Sequence, residues 1–97
     1  MSETIDGLTI AFSEDGIETT KELGKHILSK GAWTTIIFQY QDWDNAKKAY
    51  GPVKYTIRRY QKRNNQYWQK SKFNISSNDQ AQKIINALSE WVATDPT

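Results

Sequence analysis

The 97-residue chain contains no cysteine, which excludes disulfide bonds, thiolate zinc sites and thiol nucleophiles and suits a reducing compartment. Long apolar runs are also missing. The longest are three residues, as at 36–38, whereas a membrane span needs about 20. The amino terminus is acidic and has no basic leader region. We therefore expect a cytoplasmic protein that is neither secreted nor inserted in a membrane.

Signatures of catalysis are absent from the sequence as well. There is no Gly-rich phosphate loop, nucleophile elbow or HExxH helix. The single histidine, His26, has no assignable partner and is expected at the surface. Asp42 and Asp44 could hold a hydrated magnesium ion at a strand end, but carboxylates near a turn are usually solvated. We predict that the protein is not an enzyme and uses no cofactor, metal or small-molecule substrate.

Acidic residues are absent from the segment VKYTIRRYQKRNNQYWQKSKFNI, residues 53–75. This segment holds seven basic residues and four aromatic rings besides Phe73. Residues 1–22 show the reverse imbalance, with six acidic residues and one lysine, so the net charge of +2 hides a strong segregation. Such asymmetry indicates binding to nucleic acid or another anionic surface, and pairing between the two ends of the chain is the alternative.

The order of patterns predicts one domain with no internal repeat. Residues 1–19 form an acidic segment with a short strand at 8–12, and residues 20–75 form an antiparallel sheet. In that sheet a strand interrupted at Gly24 precedes the β-branched and aromatic run WTTIIFQYQDW. Residues 76–93 read as a helix, begun by a capping box of Ser77 and Gln80. Its apolar stripe comprises Ala81, Ile84, Ile85, Leu88, Trp91 and Val92.

Two β-prone runs, 53–62 and 66–75, predict a hairpin closed by Asn64 and Asn65, because asparagine tolerates the positive φ of a tight turn. Side chains alternate along each strand, so each run has two faces. The face expected in the core carries Val53, Tyr55, Ile57, Tyr67, Phe73 and Ile75. The opposite face, expected in solvent, carries Lys54, Thr56, Arg58, Tyr60, Lys62, Trp68, Lys70 and Lys72. Arg58 and Arg59 are expected on opposite faces.

The strand TIRRY, a polar turn, the basic stretch QKSKFNIS and the helix NDQAQKIINALSEW together resemble the carboxy-terminal domain of the positive cofactor four family of transcription coactivators. The bacterial relatives of that family are more similar still. Their Lys-Gly-Trp-like turn is similar to residues 30–33, with one extra residue before Trp33. The resemblance spans residues 20–92, with a longer loop at 42–52 and a Gln69-to-Lys72 approach that lacks the family's proline and glycine.

The resemblance implies an α+β fold: a curved antiparallel β-sheet of four to five strands followed by one C-terminal amphipathic helix. It also implies a homodimer formed through the helices, with Ile84, Leu88 and Trp91 at the interface, and a channel for single-stranded DNA on the sheet. By position, Arg58, Tyr60 and either Lys70 or Lys72 match the family's DNA-contacting pattern. Trp33 matches its turn aromatic.

The residues themselves indicate a compatible surface, because a sequence-tolerant single-strand binder needs flat rings for stacking and cations for the phosphates. We predict binding of single-stranded DNA, favoured over RNA, with little sequence preference. The alternatives are a protein-interaction module whose basic hairpin binds an acidic partner, and an RNA-binding protein. The candidate nucleic-acid-binding residues are Lys30, Trp33, Lys54, Arg58, Tyr60, Lys62, Arg63, Trp68, Lys70 and Lys72.

Overall fold

Six strands and one helix make up the computed structural model, which describes residues 4–95. The elements are β1 (Phe12–Glu14), β2 (Ile17–Ser29), β3 (Trp33–Asp44), β4 (Ala49–Tyr50), β5 (Lys54–Arg63), β6 (Gln66–Ile75) and α1 (Asn78–Thr94). The strands form one curled antiparallel sheet in the order β1-β2-β3-β5-β6, and the short β4 pairs with the end of β3. The predicted α+β fold, a curved antiparallel sheet followed by one C-terminal helix, is therefore confirmed.

The hairpin of β5 and β6 closes as the sequence predicted. Asn64 and Asn65 have φ values of 52° and 63°, the left-handed conformation that a two-residue hairpin turn needs. One irregularity follows. The register of the two strands shifts between Arg59 and Tyr60, where Arg59 pairs with Ser71 but Tyr60 pairs with Gln69. Lys70 is thus the extra residue of a β-bulge, and the alternation of side chains along β6 changes phase there.

The two faces of the sheet differ in burial. We call the face that carries Thr34, Ile36 and Phe38 of β3 the inner face, and the face that carries Trp33 and Ile37 the outer face. The inner-face residues of β3 named here are fully buried. Thr56 and Tyr60 of β5 are register partners of Phe38 and Thr34, so they share the inner face and are also buried.

The predicted assignment of core and solvent faces is therefore wrong for β5. Tyr55 and Ile57 lie half-buried on the outer face, while Thr56 and Tyr60 lie in the core. The reason is that the core forms where a second layer covers the sheet. The inner face has such a layer, and periodicity alone does not reveal which face it covers.

The second layer of the inner face comes from residues 4–11, which we call the strap. The sequence predicted a strand at 8–12, but the regular strand β1 begins only at Phe12. Leu8 of the strap instead lies in the core with Ile36 and Phe38, and Ile5 and Ile10 pack at its edge. The alternation of Leu8 and Ile10 thus reflects packing on the inner face, whereas Phe12 begins the paired strand β1 and is exposed.

The predicted interruption of β2 at Gly24 is also wrong. The strand runs unbroken from Ile17 to Ser29, and two register shifts, at Glu22/Gly24 and at Ile27/Ser29, absorb its irregular pattern. Each shift leaves one leucine exposed, Leu23 and Leu28. A Cβ at Gly24 would lie 3.4 Å from the side-chain oxygen of Gln39, which is an ordinary van der Waals contact.

Helix α1 begins two residues after the predicted start at 76 and ends one residue after the predicted end at 93. Ser77 accepts a hydrogen bond from the Gln80 amide at 3.1 Å, as a capping box requires. The Gln80 side chain accepts from the Ser76 amide at 2.9 Å. No residue of the helix is buried, and Trp91 is 67% exposed. Four residues of the apolar stripe are therefore exposed in a single copy of the chain, namely Ile85, Leu88, Trp91 and Val92.

The molecule is extended for its length. Its Cα radius of gyration is 15.6 Å, against about 12.5 Å expected for a compact chain of this size. The extents are 51 × 39 × 17 Å, so the sheet is thin. Within residues 4–95, no helix has the length and apolar content needed to cross a membrane.

Candidate nucleic-acid interface

The structure divides the ten predicted binding residues between the two faces. Pairing in antiparallel strands places opposed residues on the same side, so the register assigns each strand residue to a face. The inner face carries Lys54, Arg58, Tyr60, Lys62 and Lys72, and the outer face carries Trp33, Arg63 and Trp68. Lys70 is the bulge residue, and Lys30 is exposed just before the β2–β3 turn.

Two exposed tryptophans lie in one row across the outer face. Trp33 of β3 pairs with Gln61 of β5, and Gln61 pairs with Trp68 of β6. The Cα atoms of the two tryptophans are therefore two strand spacings apart, about 10 Å. They are 42% and 40% exposed, which is uncommon for the largest side chain in proteins. Both tryptophans are thus accessible from the same side of the sheet.

Basic groups surround this row. The Arg59 guanidinium lies 4.6 Å from the centre of the Trp33 ring, a cation–π contact. The Trp68 indole N–H donates to the Arg63 carbonyl at 3.3 Å, which holds that ring at the hairpin end. We call the set Trp33, Arg59, Arg63, Trp68 and Lys70 the ring patch. It combines flat rings with cations at one end of the sheet.

A shallow cleft of about 340 Å³ opens beside Trp68. Arg63, Asn64, Gln69 and Lys70 line it together with the indole. The bulge explains this arrangement, because the extra residue Lys70 turns Trp68 to the face opposite to Arg58. Simple alternation along β6 had predicted Trp68 beside Arg58, and that part of the prediction is wrong.

On the inner face, Arg58 is held by hydrogen bonds within the sheet. Its Nε donates to Thr56 Oγ1 at 3.1 Å and its Nη1 to Gln69 Oε1 at 2.7 Å. Lys72 is its register partner, and the Lys62 ammonium lies 5.7 Å from the Tyr67 ring centre. These three cations lie on the inner face of β5 and β6.

Tyr60 is 4% exposed, so its predicted place on a solvent face is wrong. Its ring belongs to the cluster of Leu8, Ile36 and Phe38. Burial raises the pKa of the phenol above its ordinary value, the nearby Arg58 lowers it, and Glu22 raises it. A base could stack on Tyr60 only if the strap left its place.

Lys54 is engaged at the far end of β5. Its ammonium lies 3.0 Å from Asp42 Oδ2, and this hydrogen bond is the largest contribution that raises the lysine pKa. A phosphate would have to compete with that carboxylate. The pairing also bears on the magnesium hypothesis, since Asp42 already has a cationic partner. Residues 4–95 contain no cluster of three or more potential metal ligands.

Arg59 and Lys25 are the residues of interest that the sequence reasoning missed. Arg59 was expected to face away from a binding surface centred on Arg58, and it does lie on the other face, where Trp33 and Trp68 are found. Lys25 lies in a strand that showed no clear pattern. Arg59 and Trp33 lie on neighbouring strands, so their contact could be predicted from the sequence only if the register of β3 against β5 were known.

Of the predicted dimer residues, Leu88 and Trp91 are exposed on α1, whereas Ile84 is half-buried. Beside the helix, Ile37, Ile57 and Phe73 form a second row across the outer face, and Phe73 is exposed. The outer face thus has two zones: the ring patch at the hairpin end and an apolar row nearer the helix.

No protein-family model, curated protein or solved structure matches this chain. The resemblance to the positive cofactor four family therefore stays a prediction from the sequence.

Proposed function

We propose that the protein binds single-stranded DNA with little sequence preference and that the ring patch makes the first contact. The observation that carries the proposal is the row of Trp33 and Trp68, both exposed and both flanked by arginine. Stacking of bases on aromatic rings is worth about 1 to 3 kcal/mol per base and tolerates any sequence. Two rings and three cations supply the two elements of such a site.

The same chemistry favours a single strand over a duplex. Bases in a duplex are stacked on one another and are not free to stack on Trp33 or Trp68, whereas a melted strand exposes them. Arg59, Arg63 and Lys70 would contact the phosphates between the stacked bases. In line with the family resemblance, such an activity would serve transcription, replication or repair by holding a strand open.

The proposal includes a homodimer. The partly exposed stripe of α1 and the row of Ile37, Ile57 and Phe73 are two apolar surfaces of one chain, and association of two copies would bury both. Because the ring patch lies at the hairpin end, it would stay open in that dimer.

The variant Leu88→Asp is expected to be a monomer in sedimentation velocity. The matched control is Lys83→Asp, at an exposed salt-bridged position of α1.

The test of strand binding is fluorescence anisotropy of a labelled oligo-thymidine of 20 nucleotides at several salt concentrations. With three phosphates neutralised at about 0.7 per contact, log affinity should fall against log salt with a slope of about −2. The double variant Trp33→Ala, Trp68→Ala should bind at least roughly 30-fold more weakly.

Competitors decide between the proposal and its alternatives. Duplex DNA should compete poorly, and matched RNA as competitor measures any preference for deoxyribose. Affinity that is indifferent to salt, or equal for the double variant and the parent chain, would reject a stacking site. In that case the arginine and tryptophan of the ring patch would fit a protein partner instead.

A further inference from the structure

The strap lies on the face that holds most of the predicted binding residues. Leu8, 5% exposed, occupies the space between Phe38, Tyr60 and Tyr67. These three rings would otherwise be open on the inner face, next to the cations Arg58, Lys62 and Lys72. The strap therefore covers a second surface of rings beside cations, similar in composition to the ring patch.

A lysine holds the strap without a carboxylate. The Lys25 ammonium donates to three backbone carbonyls of the strap, those of Ile5 at 3.0 Å, Asp6 at 3.1 Å and Leu8 at 2.6 Å. Carbonyl oxygens are neutral acceptors, whereas a phosphate oxygen is charged and makes a stronger hydrogen bond with a cation. A phosphate group is thus a natural competitor for the position that these carbonyls occupy.

The other attachment of the strap is also made by β2. Glu22 accepts from the Thr9 hydroxyl at 2.6 Å and from the Ile10 amide at 3.3 Å. The strap precedes β1 and belongs to no strand. These side-chain contacts and the packing of Leu8, Ile5 and Ile10 contribute to holding it in place. Its removal would break no ladder of the sheet.

We propose that the strap is a displaceable intrachain cover of a second strand-binding surface formed by Lys25, Phe38, Arg58, Tyr60, Tyr67 and Lys72. This inference rests on the proposed function, because the ligand is the same single strand. The strand first contacts the ring patch and, if long enough, takes the place of the strap on the inner face. Phosphates then replace the carbonyls at Lys25, and bases replace Leu8 against the rings.

The cover sets the apparent affinity of the inner face. If the open form is populated at about 1 to 10%, the apparent affinity of the covered surface is lowered by about 10- to 100-fold. Loosening the strap should therefore raise the apparent affinity for the strand by the same factor of about 10 to 100. It should also steepen the salt dependence, because Lys25, Arg58 and Lys72 add three phosphate contacts and change the slope from about −2 to about −4.

The absence of native cysteine allows a direct measurement of strap opening. A thiol introduced by Leu8→Cys lies in the core and should react slowly with a neutral alkylating reagent such as iodoacetamide. A saturating oligo-thymidine of 20 nucleotides should raise that rate at least about tenfold, as the open fraction rises from a minor to the major state. Leu28→Cys, at an exposed bulge of the neighbouring β2, is the matched control whose rate should not rise.

Affinity supplies the second readout. Leu8→Ser should bind the oligonucleotide about 10- to 100-fold more tightly than the parent chain, with the steeper salt slope, and Leu28→Ser should leave affinity unchanged. Because Leu8→Ser removes a core side chain, circular dichroism must show that the sheet persists. Thr9→Val, which removes only hydrogen bonds of the strap, should shift affinity in the same direction by a smaller factor.

The outcomes separate the two proposals. If the parent chain binds through Trp33 and Trp68 but the alkylation of Leu8→Cys is unchanged by DNA, the strap is a fixed layer of the core and the cover is rejected alone. If Thr9→Val and Leu8→Ser, both folded, bind no more tightly than the parent chain, the cover is rejected as well. If neither the parent chain nor the strap variants bind a single strand, both proposals fail.

Discussion

The two faces of the same three strands use aromatic side chains in opposite ways. On the inner face, Phe38, Tyr60 and Tyr67 are buried beneath the strap. On the outer face, Trp33 and Trp68 lie uncovered beside arginine. Both faces carry aromatic rings beside basic residues. The rings differ in burial because the strap covers the inner face and does not cover Trp33 and Trp68 on the outer face. A ring's role in this protein is therefore decided by what covers it.

The strap and the bulge at Lys70 create this difference together. The strap buries the rings of the inner face, which also carries cations. The bulge places Trp68 on the outer face instead of the inner face. Without the bulge, the β6 indole would lie with Arg58 on the inner face. The exposed tryptophans of the outer face consequently lie beside Arg59, the arginine that alternation placed on the face opposite to the predicted surface.

The sharpest test of the comparison is a pair of ring deletions that should separate stability from binding. Phe38→Ala, on the inner face, should lower the free energy of unfolding by about 3 to 5 kcal/mol, because it leaves a cavity among fully buried side chains. Urea denaturation measures this loss. Trp33→Ala, on the outer face, is the control, and an equal loss there would mean that the outer ring also belongs to a core.

Trp68→Ala should have the converse effect on binding. Loss of one stacking platform should weaken affinity for oligo-thymidine by about 1 to 3 kcal/mol, or roughly 5- to 150-fold, with a much smaller effect on unfolding. Phe12→Ala removes an exposed ring of β1 away from the ring patch and should leave affinity unchanged. If both variants weaken binding equally, the effect is not specific to the ring patch.

Arg59 and Arg58 provide a test of which face meets the strand first. Arg59→Gln should lower affinity and make the salt slope shallower by about 0.7, the contribution of one phosphate contact. Arg59→Lys keeps the charge and should retain the slope while losing the planar contact with Trp33, worth about 0.5 to 1 kcal/mol at an exposed site. Arg58→Gln should change the slope less as long as the strap is closed. A larger effect of Arg58→Gln on the parent chain would place the first contact on the inner face.

Local signals explain which parts of this structure the sequence could predict. The turn at Asn64 and Asn65 and the cap at Ser77 depend on residues within a few positions of each other, and both are found as expected. The position of Trp68 depends on one extra residue in β6, which becomes visible only when β5 is set beside it. The place of Leu8 depends on rings more than 25 residues away. The alternation of side chains along a strand predicts which residues share a face. It does not predict which of the two faces a distant segment such as the strap will cover.

The smallest expected effect concerns pH and the buried phenol of the inner face. Burial raises the pKa of Tyr60 in the folded state above the unfolded value of about 10, so the neutral phenol favours folding. This contribution is present below about pH 10 and is lost as the pH rises through the raised pKa. Tyr60→Phe cannot ionise, so its free energy of unfolding should fall less steeply than that of the parent chain above pH 10.

Lys54 must be separated from this effect, because its hydrogen bond to Asp42 raises the lysine pKa and gives an alkaline loss of the same sign. Urea denaturation at several pH values between about 9 and 11.5 should therefore show a partly flattened profile for Tyr60→Phe and a flatter one for Tyr60→Phe combined with Lys54→Gln. An unchanged profile for Tyr60→Phe would mean that water reaches the phenol and that the strap does not seal the inner face. The pH profile thus measures, without any ligand, how tightly the strap is closed.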